Sequence, residues 1–287
     1  MKETIAKYLS LVKFAHTIFA MPFALAGFFI AVNQIQEFNW YLLILVVLCM
    51  VFARNAAMGF NRYIDREFDA ANKRTAVREI PAGKIKPLRA LVFVIINSVL
   101  FVLTTYFLNE NKLAFYLSPV ALIVILGYSL CKRFTSLSHI VLGLGLALAP
   151  IGAYIAVCGK FDVVPVLMSI MVLFWVSGFD IIYALQDIDF DKSQKLKSIP
   201  SWLGIKNSLI FSFVLHLFSL VLVMLIGFSA DWGVLYWIGG GVFSVLLIYQ
   251  HLIVKANDLS RINLAFFTTN GIASLIYGLF CVLDILF

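Results

Sequence analysis

Long apolar segments alternate with short polar connections along the whole chain. Nine segments can be marked, at 14–33, 40–59, 88–108, 112–130, 137–158, 163–185, 206–229, 232–254 and 263–286. Each is at least as long as the roughly 18 residues typical of a helix that crosses a bilayer. Because backbone polar groups inside lipid need internal partners, such repeats predict a helical bundle, whereas a barrel would show short alternating segments. The pattern predicts an all-α polytopic membrane protein, a single domain over 1–287 with nine transmembrane helices.

Composition agrees with this class. The 287 residues are 62% hydrophobic and only 13% charged, whereas a soluble domain carries about 25% charged residues. The four cysteines lie far apart without a C-x-x-C pair, so a metal or redox site built on cysteine is not expected. The mean hydropathy of +0.99 therefore describes a chain embedded in lipid.

The connections between segments carry a strongly asymmetric charge. All of the 22 lysines and arginines except Arg54, Lys112 and Lys160 fall on one side of the predicted bundle. The positive-inside rule then predicts a cytoplasmic N-terminus and a multi-pass protein of the cell (inner) membrane. We therefore attribute the net charge of +7 mainly to the basic residues that set the orientation of the helices in the membrane. Binding to nucleic acid is not expected.

Two acidic motifs lie in the long connections on this cytoplasmic side. In the first, Asn61, Asp65 and Asp69 are spaced i, i+4, i+8, which places them on one stripe if the second helix continues. In the second, Asp187 and Asp191 are spaced i, i+4 at the end of the sixth helix. Such carboxylates suit Mg²⁺, which is usually bound through one or two carboxylates together with substrate phosphates. We predict that these five residues hold Mg²⁺, that the four aspartates are catalytic, and that the site opens to the cytoplasm.

Basic residues beside the motifs suit a diphosphate. Arg74 and Arg78 are spaced i, i+4 and can donate bidentate hydrogen bonds to phosphate oxygens, and Lys132 adds a point charge from the same side. A cage of metal and cations would stabilise the negative charge that grows on a departing diphosphate. These three residues are the predicted diphosphate contacts.

Ionisable residues inside the predicted spans include Arg54 in the second, and two more of them are candidate site residues. Asp180 precedes Asp187 by seven residues, so it faces the same way about two helical turns deeper. A charge at that depth is costly and by default functional, with a structural intramembrane ion pair as the alternative. His16, in the first span, is either a packed, hydrogen-bonded histidine or part of an acceptor site.

Several stretches together resemble one known family. They are "NRYIDREFDAANKRTAVREIPAGKI", "YALQDIDFDKSQKLKSIP", "KFAHTIFAMPFALAG" and "YSLCKRFTSLSHIVLG". The chain is similar over essentially its whole length to the UbiA-type intramembrane prenyltransferases, whose two signatures are N-D-x-x-D-x-x-x-D and D-x-x-x-D after the second and sixth of nine helices. The resemblance implies Mg²⁺–diphosphate binding by Asn61, Asp65, Asp69, Asp187 and Asp191; diphosphate contacts by Arg74, Arg78 and Lys132; and an acceptor cavity lined by Lys13, Tyr128, Asp180 and Tyr183. One departure is Arg62, where many members have Asp, which removes one potential metal ligand.

The resemblance implies electrophilic aromatic prenylation with Mg²⁺ as cofactor. An allylic polyprenyl diphosphate loses diphosphate, a ring carbon ortho to a phenol attacks the allylic cation, and a base removes the ring proton. The predicted acceptor is 4-hydroxybenzoate, on a ubiquinone or menaquinone pathway, with 1,4-dihydroxy-6-naphthoate as the alternative. The first span and the Asn61–Arg62 pair are similar to both kinds of member.

Other functions remain open on the sequence. Haem-O synthase and chlorophyll synthase are alternatives within the family. A cation-coupled transporter is the alternative from another class, although transporter sites more often lie near the midplane, whereas these acidic residues gather at one face. The predicted partners are the polyprenyl diphosphate, the aromatic acid and the lipid bilayer, with no obligate protein partner.

Overall fold

The computed structural model describes residues 2–108 and 112–287, with the side chains of 2–5 and 14–16 outside the description. Within these residues the chain is helical without β-strands, and nine helices are long and apolar enough to cross a membrane. The prediction of an all-α bundle with nine spans is thereby confirmed. The spans run Thr17–Ile35, Trp40–Ile64, Pro87–Tyr106, Leu113–Cys131, Ser138–Cys158, Val163–Ser193, Ile199–Ser229, Val234–Ile253 and Leu264–Leu286.

The helices are numbered here in chain order. They are α1 Lys2–Leu11, α2 Met21–Ile35, α3 Trp40–Ile64, α4 Arg66–Ala71, α5 Pro87–Tyr106, α6 Leu113–Cys131, α7 Ser138–Cys158, α8 Val163–Ala184, α9 Ile188–Ser193, α10 Ile199–Ser229, α11 Val234–Ile253 and α12 Asn270–Leu286. A 3₁₀ segment, Phe14–Phe19, precedes α2, and a π-helical turn, Leu264–Thr269, precedes α12.

The seventh helix begins earlier than its apolar segment. The prediction placed it at 206–229, but α10 begins at Ile199, with a capping box formed by Ser198 and Ser201. Gly204, at φ +75°, interrupts the helical geometry between this first turn and the long apolar part. A helix that starts outside lipid needs caps rather than apolar residues, which is why hydropathy missed this turn.

Close helix contacts at small residues hold the centre of the bundle together. A Cβ at Gly27 of α2 would clash with the carbonyl of Pro150 in α7, and a Cβ at Gly143 of α7 would clash with Ser177 of α8. In membranes, small residues at helix interfaces let backbones approach and gain packing energy. The buried side chain of Trp175 lies at the centre of the core.

Asp162 ties α8 to its neighbours at the end of the bundle away from the motifs. Its carboxylate accepts hydrogen bonds from Gln34 Nε2 (3.0 Å), the Val163 N–H (2.6 Å) and the Tyr154 hydroxyl (3.1 Å). Partial burial raises the pKa of this carboxyl, but the three hydrogen bonds outweigh it and lower the pKa overall. Asp162 is thus both the N-cap of α8 and a link to α2 and α7.

Candidate active site

Both acidic motifs open into one polar cavity of about 440 Å³. Helices α3, α4, α6, α7, α8 and α9 supply most of its walls. The predicted site residues that line it are Lys13, Asn61, Asp65, Asp69, Arg74, Arg78, Tyr128, Lys132, Asp180, Tyr183, Asp187 and Asp191. The side chain of His16 lies outside the described residues, so its predicted role at the acceptor site stays a prediction.

The first motif spans a break in the second spanning helix. Helix α3 ends at Ile64, Asp65 adopts φ −88° and ψ 6°, and α4 begins at the next residue. The Asp65 N–H nevertheless donates to the Asn61 carbonyl (3.0 Å) and the Asp69 N–H to the Asp65 carbonyl (2.7 Å). The i, i+4, i+8 pattern therefore survives the break.

The prediction placed the second motif at the end of a continuous sixth helix, but the structure shows a break there. Helix α8 ends at Ala184, a 3₁₀ turn covers Leu185–Asp187, and the short helix α9 carries Asp191. Asp189, two residues after Asp187, is exposed and does not line the cavity. Asp187 and Asp191 line the same cavity as the first motif.

Each carboxylate of the first motif faces an arginine. Arg133 Nη2 lies 3.1 Å from Asp65 Oδ1, and Arg78 Nη1 lies 2.6 Å from Asp69 Oδ1. Arg133 also donates to the carbonyl of Ile64, at the C-terminal end of α3 (3.1 Å). Burial raises the pKa of the Asp65 carboxyl more than the neighbouring Arg133 lowers it.

The second motif is paired in the same way. Arg74 donates hydrogen bonds to Asp187 from two guanidinium nitrogens. Its Nε lies 3.0 Å from Oδ1, and its Nη2 pairs with Oδ2. Burial lowers the pKa of this guanidinium, but the bonded carboxylate of Asp187 outweighs burial, and the pKa is raised overall. Lys132 Nζ lies 3.8 Å from Asp191 Oδ2.

Arg74 and Arg78 do not act as one helical pair. Both lie in the irregular connection 72–86 between α4 and α5, and each pairs with a different motif. Their i, i+4 spacing therefore does not correspond to a helical turn, and their contact with a diphosphate stays a prediction.

The carboxylates fit a divalent cation that is shared with phosphate. Asp69 and Asp191 are 5% and 2% exposed, and the Oδ2 atom of each is buried without a hydrogen-bond partner. Within the described residues, no group of three or more His, Cys, Asp or Glu side chains is close enough to hold a metal alone. Free carboxylate oxygens without a complete protein cage match Mg²⁺, which keeps sites for substrate phosphates and water.

A histidine that sequence reasoning missed lies at the deeper end of the cavity. His139, in the first turn of α7, is 1% exposed, and its Nδ1 lies 2.6 Å from Asp180 Oδ2 on α8. His139 is thus the partner that the alternative of a structural ion pair at Asp180 requires. Asp180 also lines the cavity, as a functional residue would. The rule that singled out Asp180, an ionisable residue inside a span, would also have found His139.

Arg54 marks the junction between the polar cavity and an apolar one. The second cavity, of about 360 Å³, lies among α3, α5, α6 and α7, with Thr17 and Ala20 just before α2. Both cavities share Arg54, Met58, Tyr128, Leu142 and Leu146. Sequence reasoning noted Arg54 only as a charge inside a span. In the structure its Nη2 donates to the carbonyl of Lys13 (3.3 Å).

Aromatic rings form one wall of the polar cavity. The rings of Tyr183 and Phe266 are stacked with centroids 4.0 Å apart, and Phe179 lies edge-on to Phe266 at 5.4 Å. Phe266 belongs to the π-helical turn before α12, a distortion that is frequent at functional sites. The Tyr183 hydroxyl accepts a hydrogen bond from Arg74 (3.1 Å), which joins this wall to the charged end.

Comparison with known proteins gives one consistent result. The model of a family described as the UbiA prenyltransferase family matches residues 20–272. The 4-hydroxybenzoate octaprenyltransferase of Photobacterium profundum is 34% identical over 240 residues, which cover 83% of this chain and 82% of that protein. The corresponding protein of Tolumonas auensis is 32% identical over 237 residues, 82% of each chain.

Solved structures agree with the sequence relatives. The apo structure of a UbiA homologue from Aeropyrum pernix K1 aligns with a TM-score of 0.83 at 30% identity, over 94% of this chain and 98% of that one. A UbiA homologue from Archaeoglobus fulgidus bound to GPP and Mg²⁺ aligns with a TM-score of 0.73 at 22% identity, over 98% and 100% of the two chains. At 22% identity, the alignment with the Archaeoglobus protein shows a shared fold and no more.

Proposed function

The chain belongs to the UbiA prenyltransferase family, and on that premise we propose that it transfers a polyprenyl group from an allylic diphosphate to 4-hydroxybenzoate. The observation that carries the proposal is the single cavity in which four motif carboxylates are each paired with a cation. The curated relatives named for 4-hydroxybenzoate support this acceptor. The GPP and Mg²⁺ bound by the Archaeoglobus homologue support a diphosphate donor and a magnesium cofactor.

The charged end of the cavity would bind the diphosphate. Asn61, with the four motif aspartates Asp65, Asp69, Asp187 and Asp191, would hold Mg²⁺. When bound, the metal supplies positive charge that stabilises the diphosphate as the allylic C–O bond breaks. Arg74, Arg78 and Lys132 would donate hydrogen bonds to the oxygens that receive the electron pair of that bond.

The apolar cavity would take the polyprenyl chain. It opens from the polar cavity beside Arg54 and Met58, so a donor could leave its diphosphate among the motifs and extend its tail between α3, α6 and α7. Apolar walls around the reacting carbon would also keep out the water that quenches an allylic cation.

The acceptor would lie between these two ends, near Asp180. The ring carbon ortho to the phenol forms a new bond to the allylic carbon. The proton on that ring carbon then passes to the Asp180 carboxylate. Tyr128, Tyr183 and Lys13, which line the same cavity, would contact the acceptor there. The Arg54 guanidinium is the cation best placed to bind the carboxylate of an aromatic acid, because it lies away from the carboxylates of both motifs.

A second acceptor, 1,4-dihydroxy-6-naphthoate, is retained because of Arg62. The Asn61–Arg62 pair is similar to family members of both kinds, and this acid presents the same carboxylate to Arg54. We also propose a site that opens to the cytoplasm and an N-terminus on that side, because the basic connections flank the cavity.

The test is prenyl transfer in membranes that contain the protein. Geranylgeranyl diphosphate and Mg²⁺ would be supplied with 4-hydroxybenzoate, 1,4-dihydroxy-6-naphthoate or 1,4-dihydroxy-2-naphthoate in parallel, and the products identified by mass. We expect prenylated 4-hydroxybenzoate, and loss of product in Asp65→Asn and Asp187→Asn but not in the exposed control Asp189→Asn. Transfer only to a naphthoate would replace the acceptor. Normal transfer by both motif variants would refute the mechanism and reopen the transporter alternative.

A further inference from the structure

Arg62 lies in the wall of the polar cavity with its guanidinium buried. It is 5% exposed, and among the described residues its Nε is buried without a hydrogen-bond partner. Among the described side chains, which leave out those of 2–5 and 14–16, it forms no ion pair. Removing an arginine from water without a counter-charge is expensive, above all within a spanning helix. Such a residue needs either a compensating group elsewhere in the protein or an anionic ligand.

Two acidic side chains near Arg62, Asp69 and Glu79, each have one carboxylate oxygen bound to another residue. Asp69 is bound by Arg78 at 2.6 Å. Glu79 also acts electrostatically on Arg62, but it accepts a hydrogen bond from Ser10 and does not line the cavity. Neither carboxylate hydrogen-bonds to Arg62, so its Nε keeps an unused N–H among the residues that the structure describes.

The position of Arg62 on α3 indicates which anion it would meet. Arg62 lies between Asn61 and Asp65 in the first motif, next to the site assigned to the diphosphate. Arg54 precedes it by eight residues, so the two backbone positions lie about 12 Å apart along the helix axis. Helix α3 thus offers two cations to the cavity, Arg54 on the side proposed for the acceptor and Arg62 within the first motif.

We propose that Arg62 binds an oxygen of the donor diphosphate directly, as a fourth cationic contact besides Arg74, Arg78 and Lys132. The inference rests on the proposed function, because diphosphate is the anion that function supplies. The chain has an arginine where an aspartate would give a further metal ligand, so part of the phosphate charge would be met by a guanidinium instead of by Mg²⁺. Unlike the other three, Arg62 does not have to leave a carboxylate in order to make this contact.

The test measures diphosphate binding without any acceptor. The full-length protein in lipid nanodiscs would be titrated with inorganic diphosphate and with geranyl diphosphate, each with Mg²⁺, by calorimetry. A hydrogen bond to a charged group predicts that Arg62→Met weakens both affinities by about 10- to 100-fold, and that Arg62→Lys recovers part of the loss. Arg89→Met is the matched control, because Arg89 is exposed near the same end of the bundle and does not line the cavity.

Thermal unfolding of the ligand-free protein separates ligand binding from a structural role. Removing an unpaired buried charge should leave the unfolding temperature of Arg62→Met unchanged or raise it. A lower unfolding temperature would mean that Arg62 compensates Glu79, and an affinity within twofold of wild type would mean that it does not touch diphosphate. A raised KM for the aromatic acid with unchanged diphosphate affinity would assign Arg62 to the acceptor. Each of these three results overturns the proposal, whereas absence of transfer to every acceptor with the expected binding loss overturns only the proposed function.

Discussion

Replacing His139 with alanine tests how the proposed base is held in place. His139 and Asp180 lie on antiparallel neighbours α7 and α8, one helical turn from the close contact between Gly143 and Ser177. That contact brings Nδ1 of the histidine to 2.6 Å from the aspartate oxygen. If Asp180 is the proposed base, its carboxylate accepts this hydrogen bond and Nδ1 of His139 donates it. The histidine thereby fixes one oxygen of Asp180.

The size of the effect follows from this hydrogen bond. A bond to a charged group contributes about 1.5–3 kcal/mol. If that energy holds the carboxylate in its productive orientation, His139→Ala should lower kcat by roughly 10- to 100-fold, at about 1.4 kcal/mol for each factor of ten. The KM for the polyprenyl diphosphate should not change, because His139 contacts neither acidic motif. Asn places an N–H near the position of Nδ1, so His139→Asn should recover most of the lost rate.

The assay is steady-state prenylation in nanodiscs, with kcat and KM measured separately for donor and acceptor. Ser138→Ala is the matched control, because Ser138 lines the same cavity and its buried hydroxyl has no hydrogen-bond partner. Thermal unfolding would show that each variant is folded. An unchanged kcat in a folded His139→Ala variant would refute the reasoning. Equal losses in the alanine and asparagine variants would show that the ring, and not its N–H, is what the reaction needs.

Three further outcomes are expected. Asp69→Asn and Asp191→Asn should each weaken Mg²⁺-dependent binding of geranyl diphosphate by at least about tenfold, since each removes a charge-assisted interaction with the cation. Calorimetry measures this affinity, and unchanged binding in both variants would show that these carboxylates do not belong to the metal site. Gly27→Ala should destabilise the protein by about 1–3 kcal/mol through overpacking, unlike Gly152→Ala, where a Cβ meets open space; equal denaturation midpoints would contradict the close packing. Asp162→Ala should cost about 0.5–2 kcal/mol as a lost N-cap. Because the folded-state pKa of Asp162 lies below the ordinary 3.8, its contribution is present above pH 3.8 and lost as pH falls through the lowered value, so wild type and variant should converge in acid unfolding and diverge at neutral pH.

The fold could be predicted because lipid leaves few choices to an apolar chain. Segment length alone indicated nine helices, since a spanning backbone must satisfy its own hydrogen bonds. Hydropathy reports only the part of a helix that lies in lipid, so it placed the start of the seventh helix at 206 and missed the turn that begins at Ile199. For the same reason, hydropathy could not separate α8 from α9, which are joined by a 3₁₀ turn that ends at Asp187.

The site was predictable only as far as local spacing reaches. The i, i+4 rule found both acidic motifs, but pairs across helices, such as Arg133 with Asp65 and His139 with Asp180, have no sequence period. The dipeptide Lys132–Arg133 shows this limit. From the sequence both residues belong to the basic side of the bundle, and only Lys132 was assigned to the site.

The two side chains of this dipeptide reach different motifs across the cavity. Lys132 lies beside Asp191 of the second motif, and Arg133 binds Asp65 of the first. The end of α6 therefore contacts both motifs. If the metal and diphosphate take over these carboxylates and cations, each contact at the end of α6 must be exchanged for a new one. Metal and diphosphate should then bind cooperatively, because each releases side chains that the other needs.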